Sequence, residues 1–226
     1  MLLTVSSVLQ SDQIADLISL SSNLDWEDGR HTAGAIAGAV KRNQQVVLTR
    51  GAGAVVREQL LGPIRSHPVV RVAARPHRFS RLLLSRTFSG GGYGTHVDNA
   101  LMGHGSDCMR TDLSFTLFLS GPQDYDGGEL QVERPGMVHS LKPEAGDLVL
   151  YPTSSLHRIA PVTGGCRLVC VGWIQSTIPD PSQRELLMDL ENLRVALAEK
   201  HDHQSAEMLV LQKTIANLVR MWARLG

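Results

Sequence analysis

The sequence has little cysteine, and its three cysteines do not suggest a disulfide framework or a cysteine-based zinc site. Cys108, Cys166 and Cys170 form an odd set without a CxxC pair, whereas both kinds of site need even or closely spaced cysteines. We therefore expect reduced structural thiols in a cytoplasmic protein. Redox sensing is the alternative, and Cys166 and Cys170 lie close to Arg167 in the sequence.

Net charge and long apolar runs are absent as well. The chain has 22 basic and 22 acidic residues and a formal net charge of +0, so it has no overall attraction to nucleic acid or to anionic membranes. No run of about 18 apolar residues occurs, and residues 1–4 lack the start of a signal peptide. These absences predict no nucleic-acid partner, no membrane association and a cytoplasmic location.

The N-terminal third predicts a helical buttress over residues 1–75. A Ser-Asp pair can cap a helix that runs from residue 11 to about residue 20, and a shorter helix is predicted over residues 55–61, before a Gly-Pro pair. The small-residue segment 33–39 is either a loop near a substrate opening or a closely packed turn.

Short apolar runs separated by turn residues fill the middle of the chain, a pattern typical of antiparallel sandwiches and barrels. The Gly-rich segments 126–128 and 163–165 predict hairpin connections, because glycine tolerates positive φ. We predict an α+β protein in which residues 76–178 form a double-stranded β-helix, or jelly roll, with helices packed outside. The predicted strands cover residues 79–88, 112–119, 129–132, 147–150, 157–162 and 167–174.

The last part of the chain, residues 179–226, predicts a helical extension to a domain formed by residues 1–178. Leucine, isoleucine and methionine recur there at three- and four-residue steps with charged residues between them. We predict two amphipathic helices that break near residues 201–204. They either form a hairpin that covers the sheet or bind another copy of the chain in a homo-oligomer.

The most informative stretch is the Gly-rich segment 90–94 followed by His96 and Asp98. Alternate residues of a strand share a face, so these side chains start roughly 6.5–7 Å apart and can bind one ion. His157, at the start of a later strand, can supply a third ligand. Two histidines and one carboxylate that leave one face of the metal open are the ligand set of non-haem Fe(II) oxygenases. The three residues therefore predict a catalytic iron site.

Arg167 predicts an anion site next to the metal. It begins an apolar strand, and a buried guanidinium without an anionic partner is costly. One partner is the distal carboxylate of 2-oxoglutarate, which suits bidentate binding by arginine. The other is a structural aspartate or glutamate. Next to the predicted iron site, the dicarboxylate is favoured.

These residues, together with the segments 96–100, 126–130, 146–148 and 156–158, resemble the Fe(II)/2-oxoglutarate-dependent dioxygenase superfamily. More narrowly, the chain resembles the bacterial PKHD-type hydroxylases, relatives of prolyl and lysyl hydroxylases that include a group linked to iron uptake. The resemblance covers nearly the whole chain, including the helical tail.

The resemblance implies that His96, Asp98 and His157 bind Fe(II) and that Arg167 binds 2-oxoglutarate. It also implies O2 as co-substrate, ascorbate as reductant, and hydroxylation of a small-molecule or peptidyl substrate with formation of succinate and CO2. One departure concerns a tyrosine that relatives often carry before the Gly-rich turn, where this chain has Thr87 and Phe88. Tyr93 is the candidate replacement for its contact with the co-substrate, and packing is its alternative role.

Two other functions fit part of this pattern. A zinc-dependent hydrolase can use two histidines and a carboxylate, but no general base stands beside them in the sequence and Arg167 has no task. A non-catalytic jelly-roll module with a structural metal needs a fourth ligand, and none is evident. The presence of Asp98 also argues that the chain is not a halogenase, because that class of enzyme replaces the metal-binding carboxylate with a small residue.

Four residues near the predicted site have open or lesser roles. Val97 is predicted to face away into packing, and Trp173 to lie in the core rather than to form a platform for the substrate. Asn99 either hydrogen-bonds near the metal or ends the strand. His104 is a surface histidine or borders the substrate entrance.

Overall fold

The computed structural model describes residues 1–32, 34 and 38–225 and confirms an α+β fold with antiparallel sheets and helices outside them. The helices are α1 (Ser11–Ser21), α2 (Gly51–Ser66), α3 (Pro68–Ala74), α4 (Pro181–Ala198) and α5 (Ala206–Trp222). The strands are β1 (Leu3–Val5), β2 (Glu27–Asp28), β3 (Lys41–Arg42), β4 (Gln44–Val47), β5 (Pro76–Phe79), β6 (Leu83–Phe88), β7 (Gly92–His96), β8 (Leu101–Met102), β9 (Met109–Arg110), β10 (Leu113–Phe118), β11 (Tyr125–Gly127), β12 (Leu130–Arg134), β13 (Met137–Leu141), β14 (Leu148–Pro152), β15 (His157–Ile159) and β16 (Val162–Ser176).

Two sheets hold the cavity described below. The major sheet has the order β1-β14-β10-β16-β6-β4-β2, and β5 and β11 also pair with β16. The minor sheet has the order β13-β12-β15-β7-β3, and β8 pairs with β9 beside them. The chain passes from the edge strand β3 of the minor sheet to β4 of the major sheet through Asn43 alone.

Two groups of buried apolar side chains stabilise the major sheet on its opposite faces. Helices α1, α2 and α3 pack on the outer face, where Leu17, Leu60 and Phe115 belong to one cluster. Phe118 and Val169 belong to a second cluster with residues of the minor sheet. Because both faces are covered, strand β10 is buried along its whole length, which fits its nearly continuous apolar sequence.

The N-terminal region differs from the predicted helical buttress because it also supplies strands. Strand β1 pairs with β14, β4 pairs with β6, and β3 pairs with β7. Helix α2 continues through Gly62 and Pro63, where the sequence predicted its end. One proline removes a single backbone hydrogen bond, whereas Leu60, Leu61 and Ile64 keep one apolar face buried across that point. Helix α3 was not predicted.

Two predicted features of the middle region are wrong. The segment 163–165 is not a hairpin turn but part of the long strand β16, in which Gly165 has a φ of 70° and pairs with Tyr125. The predicted strand 79–88 is two strands, β5 and β6, since residues 80–82 leave the ladder. The turn after β11 is as predicted, with positive φ at Gly127 and Gly128.

The two C-terminal helices confirm the predicted pair and its break. They pack against each other around Leu187 and Ile215, and α4 also contacts α3. Arg75 and Glu191 form an ion pair of 3.3 Å beside that contact. The hairpin therefore covers a helix rather than a sheet face, and oligomerisation through it stays a prediction.

Three further predictions concern the cysteines, the segment 33–39 and membrane-spanning helices. The three cysteines are free thiols, with Cys108 exposed and Cys170 buried. Of the segment 33–39, residues 33 and 35–37 lie outside the described residues, so the predicted loop is not described here. In the described part of the chain, no helix combines the length and hydropathy that a membrane crossing requires.

Candidate active site

The fold brings His96, Asp98 and His157 together. His96 ends β7 and pairs directly with His157 at the start of β15, and Asp98 follows β7 by two residues. One ligand atom from each lies within 4.8 Å of the others. The Nε2 atoms of His96 and His157 are 3.8 and 3.7 Å from the carboxylate oxygens of Asp98. These separations suit an ion held between the three side chains.

Both imidazoles are oriented by the backbone. Nδ1 of His96 donates to the carbonyl of Gly94 at 2.8 Å, and Nδ1 of His157 donates to the carbonyl of Ser155 at 3.0 Å. Because a carbonyl only accepts, each Nδ1 carries a proton, and Nε2 is the ring nitrogen with which the neutral imidazole can bind a metal. Burial, followed by repulsion from His157, lowers the pKa of His96 to about 4. His96 is therefore neutral at pH 7.

The carboxylate of Asp98 is held by two donors on the major sheet. Its Oδ2 accepts hydrogen bonds from the Trp173 indole at 2.9 Å and from the Ser114 hydroxyl at 2.8 Å. The two donors face each other on β16 and β10. The sequence analysis placed Trp173 in the core, which is wrong, since it is half-buried and lines the cavity at the site. Only the register between distant strands reveals this arrangement.

Three neighbours of the triad have the following positions. Val97 is not packed as predicted, because it is 51% exposed and lines the same cavity. Asn99 also lines the cavity, and its carbonyl accepts a hydrogen bond from the Thr111 hydroxyl. His104 is exposed in the loop between β8 and β9.

Arg167 lines the same cavity as the three candidate ligands. It is 2% exposed, and its Nε and Nη2 have no hydrogen-bond partner among the described residues. Its guanidinium lies 5.1 Å from the ring of Phe118, and burial lowers its pKa. The interaction with Tyr125 partly offsets this lowering of the Arg167 pKa. The buried hydroxyl of Tyr125 also lacks a hydrogen-bond partner in the described structure. A buried cation with unused donors fits a carboxylate ligand.

Thr87, at the predicted departure, and Tyr93, the candidate replacement, both line the cavity. Thr87 is buried and faces Arg167 across the β6–β16 ladder. The ring of Tyr93 stacks on that of His96, with 3.6 Å between their centroids. Burial raises the pKa of Tyr93 to about 12, so its hydroxyl stays a donor at neutral pH. Packing against His96 is therefore established for Tyr93, and contact with a co-substrate stays a prediction.

Comparison with known proteins identifies the family. Residues 82–175 match the model of the 2OG-Fe(II) oxygenase superfamily. A PKHD-type hydroxylase from Hyphomonas neptunium is 48% identical over 98% of this chain and 99% of its own. The chain belongs to the PKHD-type hydroxylases. Another member, from Acaryochloris marina, is 42% identical over 99% of this chain and 100% of its own.

Solved structures show the same fold at lower identity. A prolyl-4-hydroxylase from Pseudomonas putida aligns with a TM-score of 0.53 and 22% identity, over 77% of this chain and 92% of its own. HygX from Streptomyces hygroscopicus, solved with nickel and 2-oxoglutarate bound, aligns with a TM-score of 0.52 and 16% identity, over 78% and 84% of the two chains. The shared fold is that of 2-oxoglutarate oxygenases, whose core is the predicted jelly roll.

Family membership makes this PKHD-type hydroxylase an enzyme and an oxygenase. The family implies iron, 2-oxoglutarate and O2 as its requirements, and the His96, Asp98 and His157 cluster is present in the fold. The zinc hydrolase and the non-catalytic module are therefore set aside.

Proposed function

We propose that this enzyme binds Fe(II) through His96, Asp98 and His157 and binds 2-oxoglutarate through Arg167, and that it hydroxylates its substrate with formation of succinate and CO2. The observation that carries the proposal is the buried Arg167, whose Nε and Nη2 have no partner among the described residues, in the cavity that the ligand triad lines. A metal triad alone fits several reactions, whereas the neighbouring guanidinium selects a carboxylate-bearing co-substrate.

Each residue has a separate task in this proposal. His96 and His157 offer neutral Nε2 atoms, and Asp98 offers the carboxylate that supplies negative charge to the metal. Trp173 and Ser114 hold that carboxylate in one orientation, which limits its rotation away from the ion. Arg167 fixes the distal end of 2-oxoglutarate, so that its keto acid end points to the triad. When bound, iron supplies the oxygen-activating chemistry.

The proposal also covers the reductant, the domain bounds, the cellular location and the class of substrate. We take ascorbate as the reductant that restores iron, residues 1–178 as the dioxygenase domain and residues 179–226 as its helical extension. We also propose a cytoplasmic location. The substrate is a small molecule or a peptide. The solved structures with this fold include a prolyl hydroxylase complexed with a peptide fragment and HygX with hygromycin B, and fold alone does not choose between these classes.

A visible spectrum tests the proposed site. Addition of 2-oxoglutarate to the anaerobic Fe(II) protein is expected to give a weak metal-to-ligand charge-transfer band. Asp98→Ala should abolish the band and reduce turnover by more than about 100-fold, beyond the effect typical of losing a residue that only supports a ligand. An absent band in wild-type protein that holds stoichiometric iron contradicts the co-substrate assignment.

Arg167→Met separates metal binding from co-substrate binding. The variant should keep its iron but need a much higher 2-oxoglutarate concentration to form the band, because the anionic partner loses its guanidinium. Arg184→Met is the matched control, since Arg184 is 3% exposed and donates to backbone carbonyls away from the cavity. Equal 2-oxoglutarate affinity in the Arg167→Met variant and the wild type rejects the anchor assignment.

A further inference from the structure

Lys41 is a second buried cation in the active-site cavity, and the proposed chemistry gives it no task. It lies on β3, is 4% exposed and lines the cavity that contains the ligand triad. Its Nζ donates to the Thr32 hydroxyl and to Oε1 of Gln45, each at 3.0 Å. An ammonium has three donors, and these neutral acceptors use two of them.

No acidic side chain neutralises Lys41 at close range. Within the described ranges 1–32, 34 and 38–225, no carboxylate oxygen lies within 4.0 Å of its Nζ. Burial lowers the pKa of Lys41 to about 8, although the more distant Asp98 and Asp28 favour the charged form. Lys41 therefore carries its charge at pH 7 in a site where a bound anion would stabilise it.

Lys41 lies one aromatic ring from the metal ligands. It pairs with Tyr93 across the β3–β7 ladder, and its Nζ is 5.0 Å from the centroid of the Tyr93 ring. That ring stacks on His96. A ligand atom bound at Lys41 is therefore close enough to the triad to belong to a molecule of small size.

The cavity wall beside Lys41 is formed by polar side chains, whereas an aromatic ring lies next to Arg167. Gln45 and Ser85 face each other across β4 and β6, are buried, and line the cavity. Asn43 donates to the Ser85 hydroxyl at 2.7 Å. This polar wall continues the donor and acceptor groups around Lys41, whereas Arg167 has the Phe118 ring next to its guanidinium.

The formal charges of the loaded cavity leave room for one more anion. Among the described residues, the charged groups that line it are Lys41, Arg167 and Asp98, and a histidine that binds the metal through Nε2 does so as a neutral imidazole. With Fe(II), the cations carry four positive charges, and Asp98 with dianionic 2-oxoglutarate carries three negative charges. One positive charge remains. In a cavity of low dielectric, that charge favours a substrate that places one carboxylate group there.

We propose that Lys41, supported by Thr32 and Gln45, binds the carboxylate of the substrate, which is a small free carboxylic acid and not the interior of a peptide. This inference rests on the proposed function, because it assumes that 2-oxoglutarate occupies Arg167. An interior peptide residue has no free main-chain carboxylate to reach Lys41. A free amino acid or a similar acid has one within a few bonds of its oxidisable carbons.

Calorimetry with matched probes tests the proposal without turnover. The anaerobic protein is saturated with Fe(II) and 2-oxoglutarate and titrated with acetate and L-proline, and separately with acetamide and L-prolinamide. Wild type should bind each carboxylate more tightly than its amide. In Lys41→Met the carboxylates should bind about 10- to 100-fold more weakly, as expected for loss of a charge-assisted hydrogen bond. Lys41→Arg should keep the preference, and Lys213→Met, which removes an exposed lysine of α5, should match wild type.

The outcomes separate this inference from the proposed function. If wild type forms the charge-transfer band but binds acid and amide equally, or binds neither acid, the inference is overturned and the proposed function stands. If Lys41→Met loses 2-oxoglutarate affinity, Lys41 serves the co-substrate, which also overturns the inference. Tighter binding of N-acetyl-L-prolinamide than of L-proline overturns it in favour of a peptide. If the band is absent in wild type, the proposed function itself fails.

Discussion

The ligand triad and Arg167 line one cavity, but they differ in their hydrogen-bond partners. Each triad side chain has its own protein partner: His96 and His157 donate to backbone carbonyls, and Asp98 accepts from Trp173 and Ser114. Arg167 is at least as deeply buried as any of them, yet two of its donor atoms have no partner in the described structure. In the proposed function, the metal side is oriented before any ligand binds, and the arginine side is completed by the co-substrate.

This difference separates two ways in which a fold prepares a binding site. Supporting hydrogen bonds fix the direction of a metal ligand, so that the side chain needs no rearrangement when the ion binds. An unpaired buried guanidinium instead destabilises the ligand-free protein, and that cost is recovered only when an anion binds. If Arg167 binds the co-substrate as proposed, the site gains selectivity for a carboxylate at the expense of stability in its absence.

The largest test of this comparison is the stability of two arginine variants without metal or 2-oxoglutarate. Arg167→Met should leave the free energy of unfolding unchanged or raise it by about 1–3 kcal/mol, because a costly unpaired cation is removed. Arg184→Met should lower it by about 2–4 kcal/mol, because the carbonyls of Ile178 and Pro179 lose their donor. Denaturant unfolding measures both. Equal destabilisation by the two variants would show that Arg167 has partners in solution.

A smaller effect is expected from the protonation of His96. The folded pKa of His96 is about 4, below the value of about 6.5 for an unfolded histidine. The unfolded chain therefore binds the proton first, and stability falls as the pH drops below about 6.5. Between pH 7 and 5 the metal-free wild type should lose up to about 2 kcal/mol more than His96→Asn. Denaturant unfolding of both proteins, with the exposed His201→Asn as control, measures the difference, and parallel curves for wild type and His96→Asn refute it.

The smallest effect concerns the donors that hold Asp98. Trp173→Phe and Ser114→Ala should each weaken Fe(II) binding by about tenfold, the lower limit for loss of a group that orients a metal ligand. Competition with a chelator measures the affinity. Ser85→Ala is the control, because Ser85 is also a buried serine of the cavity wall but bonds to Asn43. Unchanged affinity in both test variants means that the backbone alone positions Asp98.

The sequence was informative where function depends on local spacing. His96 and Asp98 are two residues apart, and strand geometry alone places their side chains on one side. His157 and Arg167 could be added because each stands near the start of a predicted strand. The resemblance to a known family joined these four residues into one hypothesis.

Other parts of the site depend on pairing between distant strands. Trp173 stands beside Ser114 because β16 pairs with β10 in one register, which no local pattern specifies, and Asp98 accepts from both after the end of β7 in the other sheet. Lys41 lies in a two-residue strand preceded by a small-residue segment, so neither alternation nor a motif marks it. Helix α2 ran past Pro63 because tertiary burial of its apolar face outweighed a local helix-breaking signal.

Asn43 is the single residue between β3 and β4, so that residues 41–45 join the two sheets directly. Lys41 on β3 and Gln45 on β4 stand on either side of Asn43 and belong to different sheets. A change in the backbone at Asn43 would therefore change the separation of the Lys41 and Gln45 side chains, which are joined by a hydrogen bond of 3.0 Å. The backbone at this one position thereby sets how closely β3 and β4 meet beside the cavity.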